Sequence, residues 1–535
     1  MTTNDMGVSF HDESIDTEMD GKPPIHATPV GTVRLIDGTE LVLIPTPSPD
    51  PRDPLNLPQW HKWLITIVLS LFSVISVLIT SGMGPIYGVV MASYDGDPQT
   101  SNLMTYPTLF MGIGNLISMP MALVVGRRPV FLASALVLVI SSIWCAASTS
   151  LDSHIAGRDV LSLAAGQSEA LCPLIIQEIH FLHERSGKLA WFSAIQSIGT
   201  AALVISTSYL VADLGWRWWY GIFGIISGVV FVLSFLFVPE TRYTRPTDAF
   251  EGAVHIRQQG HADRLLRVTN QHGVELDFVR YKPRSFRNDL KIFHGPTDWK
   301  AGWDCVIQML QCCLFPNILW VALMNSAVLG IYVVVITQFS GILVSPPYNL
   351  PNTSLGFVQG GQIVVSLIMV PLFGYGGDFF TRALAKRNGG VAEPETRLIP
   401  MVIPIIVVIV STVIFGLAGS NPSSWSVWAV VVTFNAVFFG FISIVLLGYT
   451  YCLDAYAERA APILVLICAV RGLISFGISF GITKFVTVEG YESALNICAI
   501  VMGAVSAFGI PVYFLGKRIR KATMKYSVNG KLLEL

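Results

Sequence analysis

The stretch CVIQMLQCCLFPNILWVALMNSAVLGIYVVVITQFSGILVSPPYNLPNTSLGFVQGGQIVVSLIMVPLFGYGG, Cys305–Gly377, contains no Asp, Glu, Lys or Arg. A helix needs about 20 apolar residues to cross the hydrocarbon core of a bilayer. The run is long enough for two crossings, and the cluster Pro346-Pro347-Tyr348-Asn349-Leu350-Pro351-Asn352 cuts it between them. Downstream, Leu398–Leu453 is also free of charge and is cut at Gly419-Ser420-Asn421-Pro422-Ser423-Ser424. Ala460–Ile482 and Ala494–Leu515 complete six spans. Upstream, Leu64–Tyr94, Leu103–Val125, Pro129–Leu151, Ile155–Ile179, Leu189–Ala212 and Trp218–Pro239 give six more. The composition agrees: 52% of the 535 residues are hydrophobic and 13% charged, against about 25% charged in soluble domains. Mean hydropathy is +0.60. The sequence therefore predicts an all-α membrane protein of twelve transmembrane helices.

Loop charge gives the orientation. Arg127, Arg128, Arg185, Lys188, Arg382, Lys386, Arg387, Arg397, Arg459, Lys517, Arg518, Arg520 and Lys521 all fall on one side. The opposite loops hold Asp95, Asp97, Asp152, Asp213 and Glu489 against Arg217 and Lys484. Both termini are thus expected in the cytosol. Residues 1–58 read as a disordered tail without the apolar core of a signal peptide, and 59–239 as a first six-helix half. Residues 240–304 form a cytosolic linker with eleven Lys and Arg, long enough for amphipathic helices on the inner leaflet and too polar for a catalytic domain. A second half over 305–517 and a tail over 518–535 follow. Basic clusters after spans 2 and 8 recur at equivalent positions, as parallel repeats would leave them. The sequon Asn352-Thr353-Ser354 lies outside but almost against the membrane, where a bulky glycan is not expected.

Several loops carry a resemblance. The entry segment Asp53-Pro54-Leu55-Asn56-Leu57-Pro58-Gln59-Trp60-His61-Lys62-Trp63, Gly126-Arg127-Arg128-Pro129, Gly215-Trp216-Arg217-Trp218 and Pro239-Glu240-Thr241 are four of them. Arg387-Asn388-Gly389-Gly390 with Glu393-Pro394-Glu395, and Tyr451 to Tyr456 around Asp454, are two more. Together they resemble fungal major facilitator transporters of the twelve-span drug:proton antiporter group, over residues 53 to 517. The resemblance implies the major facilitator fold with spans 1, 4, 7 and 10 lining a cavity. It implies a gating role for Arg127, Arg128, Asp378 and Arg382. Two departures stand out: no acid ends span 2 at Met121–Val125, and span 5 has no proline in Ser197–Val204. The first would pass the gating acid to Asp378.

A charge at mid-bilayer costs several kcal/mol unless it faces protein or water, so each needs a reason. Glu169 lies near the middle of span 4, as a protonatable carboxyl, a ligand for a cationic substrate or a structural acid holding helices together. Arg158 lies eleven residues earlier, about 16 Å along a continuous helix and on the same face. It matches the arginine of the family's span 4 signature. Arg471, halfway along span 11, has no acid within one turn; it would meet an anionic substrate or a carboxylate on a facing helix. Asp454 reads as a helix-end ion pair with its neighbours Glu458 and Arg459. Asn325, Gln338, Gln359, Gln362 and Asn435 are polar contacts for a substrate or interhelical hydrogen bonds. Ser81-Gly82-Met83-Gly84-Pro85 is expected to break span 1.

No phosphate-cradling Walker loop is present, the eight cysteines form no CxxC pair, and no global basic surplus argues for nucleic acid. The expectation is a monomeric secondary transporter in the plasma membrane, without cofactor or metal. Its partners would be a small-molecule substrate, protons and lipid. Export of toxic compounds or secondary metabolites is one direction; import of a nutrient or organic cation, or a non-transporting nutrient sensor, are the others.

Overall fold

The computed structural model describes residues 33–34, 36–37, 40–245, 249, 254–256, 264–266 and 276–523. Among these, twelve helices are long and apolar enough to cross a membrane. Spans 1 to 6 are Gln59–Ala92, Pro98–Val125, Arg127–Ala147, Leu151–Ile179, Leu182–Leu214 and Trp216–Phe237. Spans 7 to 12 are Pro316–Val344, Ser354–Arg387, Pro394–Ser420, Val427–Ala455, Ala460–Gly481 and Val488–Thr523. The sequon's Asn352 and Thr353 side chains, the tail from 524 on, and most of 246–275 lie outside the described residues.

Interruptions of the helices matter more than the helices themselves. Span 1 ends its first segment at Ser81, turns through Gly84–Ile86 and resumes at Tyr87; Pro85 has no N–H to continue the ladder. Span 4 breaks where the sequence suggested a continuous helix. Leu151–Ala165 gives way to a tight turn at Gly166–Ser168, and Leu171–Ile179 follows. Glu169 therefore does not keep the face it would share with Arg158 on an unbroken helix. Span 8 widens over Val370–Tyr375 into a π-helical turn around Pro371, a distortion often found at functional positions. Two tight reversals rest on glycines at positive φ, Gly126 at +122° between spans 2 and 3 and Gly490 at +79° between spans 11 and 12. Residues with a Cβ are strained in that region.

The halves meet along two seams, span 2 against span 11 and span 5 against span 8. In the first, the space beside Gly112 is filled by Ala469 and Gly472, the small-residue contact that lets membrane helices approach closely. Two sequence expectations change. Span 7 does not begin at the head of the charge-free run; Trp299–Cys312 is a separate amphipathic helix. Its Trp299, Trp303, Ile307 and Leu310 point outward and its Gly302, Cys305 and Cys312 inward against the protein. Of the tail expected to be disordered over 1–58, the described part is structured: Val33–Arg34 pairs with Val391–Ala392, and Val42, Leu43, Ile44 and Asp53 are buried.

Arg127, Arg185, Arg397, the linker and Lys517 lie on one face, the one with the basic loops. Epitope tags at either terminus should thus be labelled only after cells are permeabilised. Labelling of intact cells would invert the topology.

Candidate functional site

At mid-membrane, the turn at Gly166–Ser168 swings Glu169 toward the second half. Arg471 Nη2 of span 11 lies 2.5 Å from Glu169 Oε2. The two side chains come from opposite halves and differ in exposure, 6% for the arginine and 26% for the glutamate. Around them, Cys468, one turn before Arg471, donates its thiol to the Glu169 carbonyl at 3.6 Å. Tyr449 Oη of span 10 lies 3.2 Å from the same sulfur. Arg471 thus has its acid, contributed from a position 302 residues away that no local reading could find. The pair is a charge-assisted contact that joins the two halves at this depth.

Arg158 is not part of this pair. Its guanidinium donates to the carbonyls of Leu103 (2.9 Å), Ile79 (3.2 Å) and Thr80 (2.7 Å) and to the Tyr220 hydroxyl (2.6 Å). Ile79 and Thr80 are the last carbonyls before span 1 breaks, which lack helical partners and carry the negative end of the helix dipole. Tyr220 in turn lies 3.1 Å from His154 Nε2, and Tyr94 Oη 3.2 Å from its Nδ1. Arg158 clamps the break in span 1. Arg158→Ala orphans three buried carbonyls at about 1 kcal/mol each, so detergent-solubilised protein should lose about 3 kcal/mol of stability in thermal unfolding. An unchanged Tm would remove the clamp.

The amides of the second half fall into separate places. Gln362 donates to the Tyr332 hydroxyl at 3.1 Å, and the Tyr332 ring stacks on Phe441 at 5.1 Å. Asn435 donates to the Val358 carbonyl at 3.2 Å, stapling span 10 to span 8. Asn325 is fully buried, and neither of its amide atoms has a hydrogen-bond partner. Gln359 is buried and Gln338 half-buried near the outer end of span 7. Phe441 and Cys468 carried no signal beyond their apolar surroundings, whereas Tyr332 and Tyr449 stand out in sequence as polar groups on spans 7 and 10. Asn325, like Asn115 of span 2, is a buried amide whose capacity is left unused, a rare condition for a buried group.

On the cytosolic side the halves are joined by charge. Asp378 accepts from Gly187 N–H at 3.0 Å and sits 3.4 Å from Arg397 Nη1. Arg397 Nε donates to Asp454 at 3.0 Å, and Arg185 of the first half lies 3.7 Å from Asp454. Asp454 is therefore not engaged with its sequence neighbour Arg459, which packs over the Phe315 ring; the Glu458 side chain lies outside the described residues. Arg382 Nε donates to the Asp378 carbonyl. Ser186 bonds the Phe373 carbonyl and Trp191 the Tyr375 hydroxyl, both on the π-helical turn. Arg127 pairs with Glu178 at 2.7 Å. Glu240 accepts the N–H groups of Arg127 and Arg128, and Arg128 donates to the Phe235 and Val238 carbonyls. Glu240 thereby brings a carboxylate to the loop whose span 2 lacks one. His180, between spans 4 and 5, does not titrate near neutrality, since burial pushes its imidazole down to about 3.

Comparison with known proteins places this geometry. The family model described as Major Facilitator Superfamily matches residues 69–462. An uncharacterized MFS-type transporter of Schizosaccharomyces pombe is 25% identical, over 91% of this chain and 89% of its own. Protein HOL1 of Saccharomyces cerevisiae is 22% identical over 91% of each. The efflux pump FUBT of Fusarium oxysporum is 22% identical over 88% of this chain and 75% of its own. Among solved structures, the proton:xylose symporter XylE matches with a TM-score of 0.59 at 13% identity, covering 86% of this chain and 97% of that one. The human organic anion transporter MFSD10 matches at 0.53 and 13%, covering 86% and 100%; identities this low speak to the fold alone. With the family match running through three quarters of its length, this chain belongs to the Major Facilitator Superfamily.

Proposed function

We propose that the protein is a proton-coupled secondary transporter of a small organic solute, and that Glu169 and Arg471 are its coupling pair. The contact between them across the two halves, at the break in span 4, carries this reading. A carrier coupled to protons needs a group whose charge differs between the two access states. Glu169 is partly open to solvent and paired to a nearly buried cation, so charge and contact change together. Substrate would add its contacts from Asn325, Gln338, Gln359, Gln362 and Asn435, and the Asp378–Arg397–Asp454–Arg185 network would close the cytosolic side. Arg127, Arg128 and Arg382 complete that gate.

Export fits the names of relatives such as FUBT, called an efflux pump. Coupling to protons fits the name of XylE, a proton:xylose symporter. One observation favours import as a second reading: span 5 lacks the antiporter proline and runs as one helix over Leu182–Leu214. Purified protein in proteoliposomes, offered a panel of organic solutes under an imposed pH gradient, tests both. Gradient-driven movement abolished by a protonophore is expected, and its direction separates antiport from symport. Flux indifferent to the gradient would end the proton reading.

A further inference from the structure

We propose that the described residues between 33 and 57 form a strap that locks the cytosolic ends of the two halves together, and that it must release the second half whenever the transporter opens to the cytosol. The inference goes beyond the coupling pair but rests on the alternating opening of the halves. Within a polar N-terminal stretch, Leu41-Val42-Leu43-Ile44-Pro45-Thr46 is an apolar run. Val42 and Ile44 are buried in one small cluster with Leu182, at the start of span 5, and with Ala385 and Ala392, at the end of span 8 and beyond it. The run therefore touches both halves at once.

Its two ends are held differently. Toward the first half and the linker, Asp53 is fully buried and its carboxylate meets both Arg245 Nη1 and Nη2, at 2.7 and 2.6 Å. The same carboxylate accepts the N–H groups of Ser48 and Leu55, and Ser48 Oγ lies 2.7 Å from Tyr243 Oη. Backbone bonds run from Thr46 N–H to the Ala249 carbonyl and from Leu182 N–H to the Ile44 carbonyl, at 2.8 and 2.7 Å. A bidentate, desolvated pair of this kind is a strong and directional anchor. Toward the second half the attachment is an apolar contact and a short antiparallel pairing of Val33–Arg34 with Val391–Ala392. This is the weaker end. When spans 5 and 8 part at the cytosolic side, Leu182 moves away from Ala385 and Ala392, and the strap cannot follow both. It stays with the first half and peels from the second. The strap thus biases the resting protein toward the cytosol-closed state, alongside the Asp378–Arg397–Asp454–Arg185 network.

The test is a distance measured without substrate or pH gradient, so failure of proton coupling leaves it intact. Spin labels go on Gln59→Cys and Arg518→Cys, exposed at the cytosolic ends of opposite halves. Exposed Cys313 is replaced by serine. Deleting residues 2–46 and, separately, Asp53→Asn should each raise the ratio of long to short distances by about tenfold, the change that about 1.4 kcal/mol of lost contact produces. Should Asp53→Asn fail to fold, the deletion decides, because it leaves the anchor in place. An unchanged or shorter distribution in the deletion variant overturns the strap.

Discussion

Arg471→Ala is expected to abolish both accumulation and exchange, at least about 100-fold below wild type, because it removes the cation the mid-membrane acid is paired with (ΔΔG of about 2.7 kcal/mol at that ratio). Removing one partner of a buried ion pair costs about 3–5 kcal/mol when the survivor stays charged and dry. Here the survivor is Glu169, whose side chain is 26% exposed, so it can take up a proton or water. The stability cost is therefore expected near the lower end or below, and the protein should still reach the membrane. Transport has no such escape. Without the guanidinium, Glu169 loses its donor across the two halves, a gap that Glu169→Gln does not open because the amide oxygen still accepts from Arg471. Arg471→Lys keeps the charge but not the planar fork and should recover part of the flux. The readouts are substrate exchange and gradient-driven flux in proteoliposomes, with thermal unfolding of the same preparations. Wild-type flux in the alanine variant would make the charge dispensable. Loss of folding in alanine, with lysine folding but inactive, would still keep the charge geometry at issue.

What could be read from the chain follows the physics of each signal. Spans were legible because hydrocarbon permits so few unpaired polar groups, and the break in span 1 because Gly82, Gly84 and Pro85 each weaken a helix locally. Glu169 and Arg471 were legible as charges in need of partners, but not as partners of each other. Their register depends on how two halves pack, and the helical projection that put Glu169 on the same face as Arg158 assumed a ladder that stops at Gly166. Pro173, which has no N–H to give the Glu169 carbonyl four residues earlier, marks that stop from its far side, inside the helical segment that follows.

The cytosolic network was hidden by a different confusion. Arg185 and Arg397 are basic residues in basic loops, and the rule that assigns orientation uses them up as topology signals. Yet both are buried and pair with Asp454. The clue was present in Asp378 and Asp454, acids placed on the side where cations gather. Asp454 went astray because a neighbour in sequence was preferred to one in space. Arg158 stands open in sequence between a substrate contact and a structural or gating charge, and its donors all end on carbonyls and one phenol. The strap left a fainter mark, an apolar run in a polar tail, which composition averaged over 1–58 conceals.

Glu169→Gln separates coupling from binding. The amide keeps the shape of the acid and can still accept from Arg471, but it cannot lose or gain a proton in the cycle. Fixing it neutral should leave exchange of substrate within about threefold of wild type, since the hydrogen bonds lost are worth under about 1 kcal/mol. Accumulation driven by a pH gradient should vanish. Arg471, only 6% exposed, keeps a neutral acceptor in place of an anion, so some loss of thermal stability accompanies the change; Glu169→Ala, which offers no acceptor, should lose more. If the glutamine variant still concentrates substrate against its gradient, the proton travels by another route. If exchange disappears along with accumulation, Glu169 is a substrate ligand, and a cationic solute becomes the one to test first.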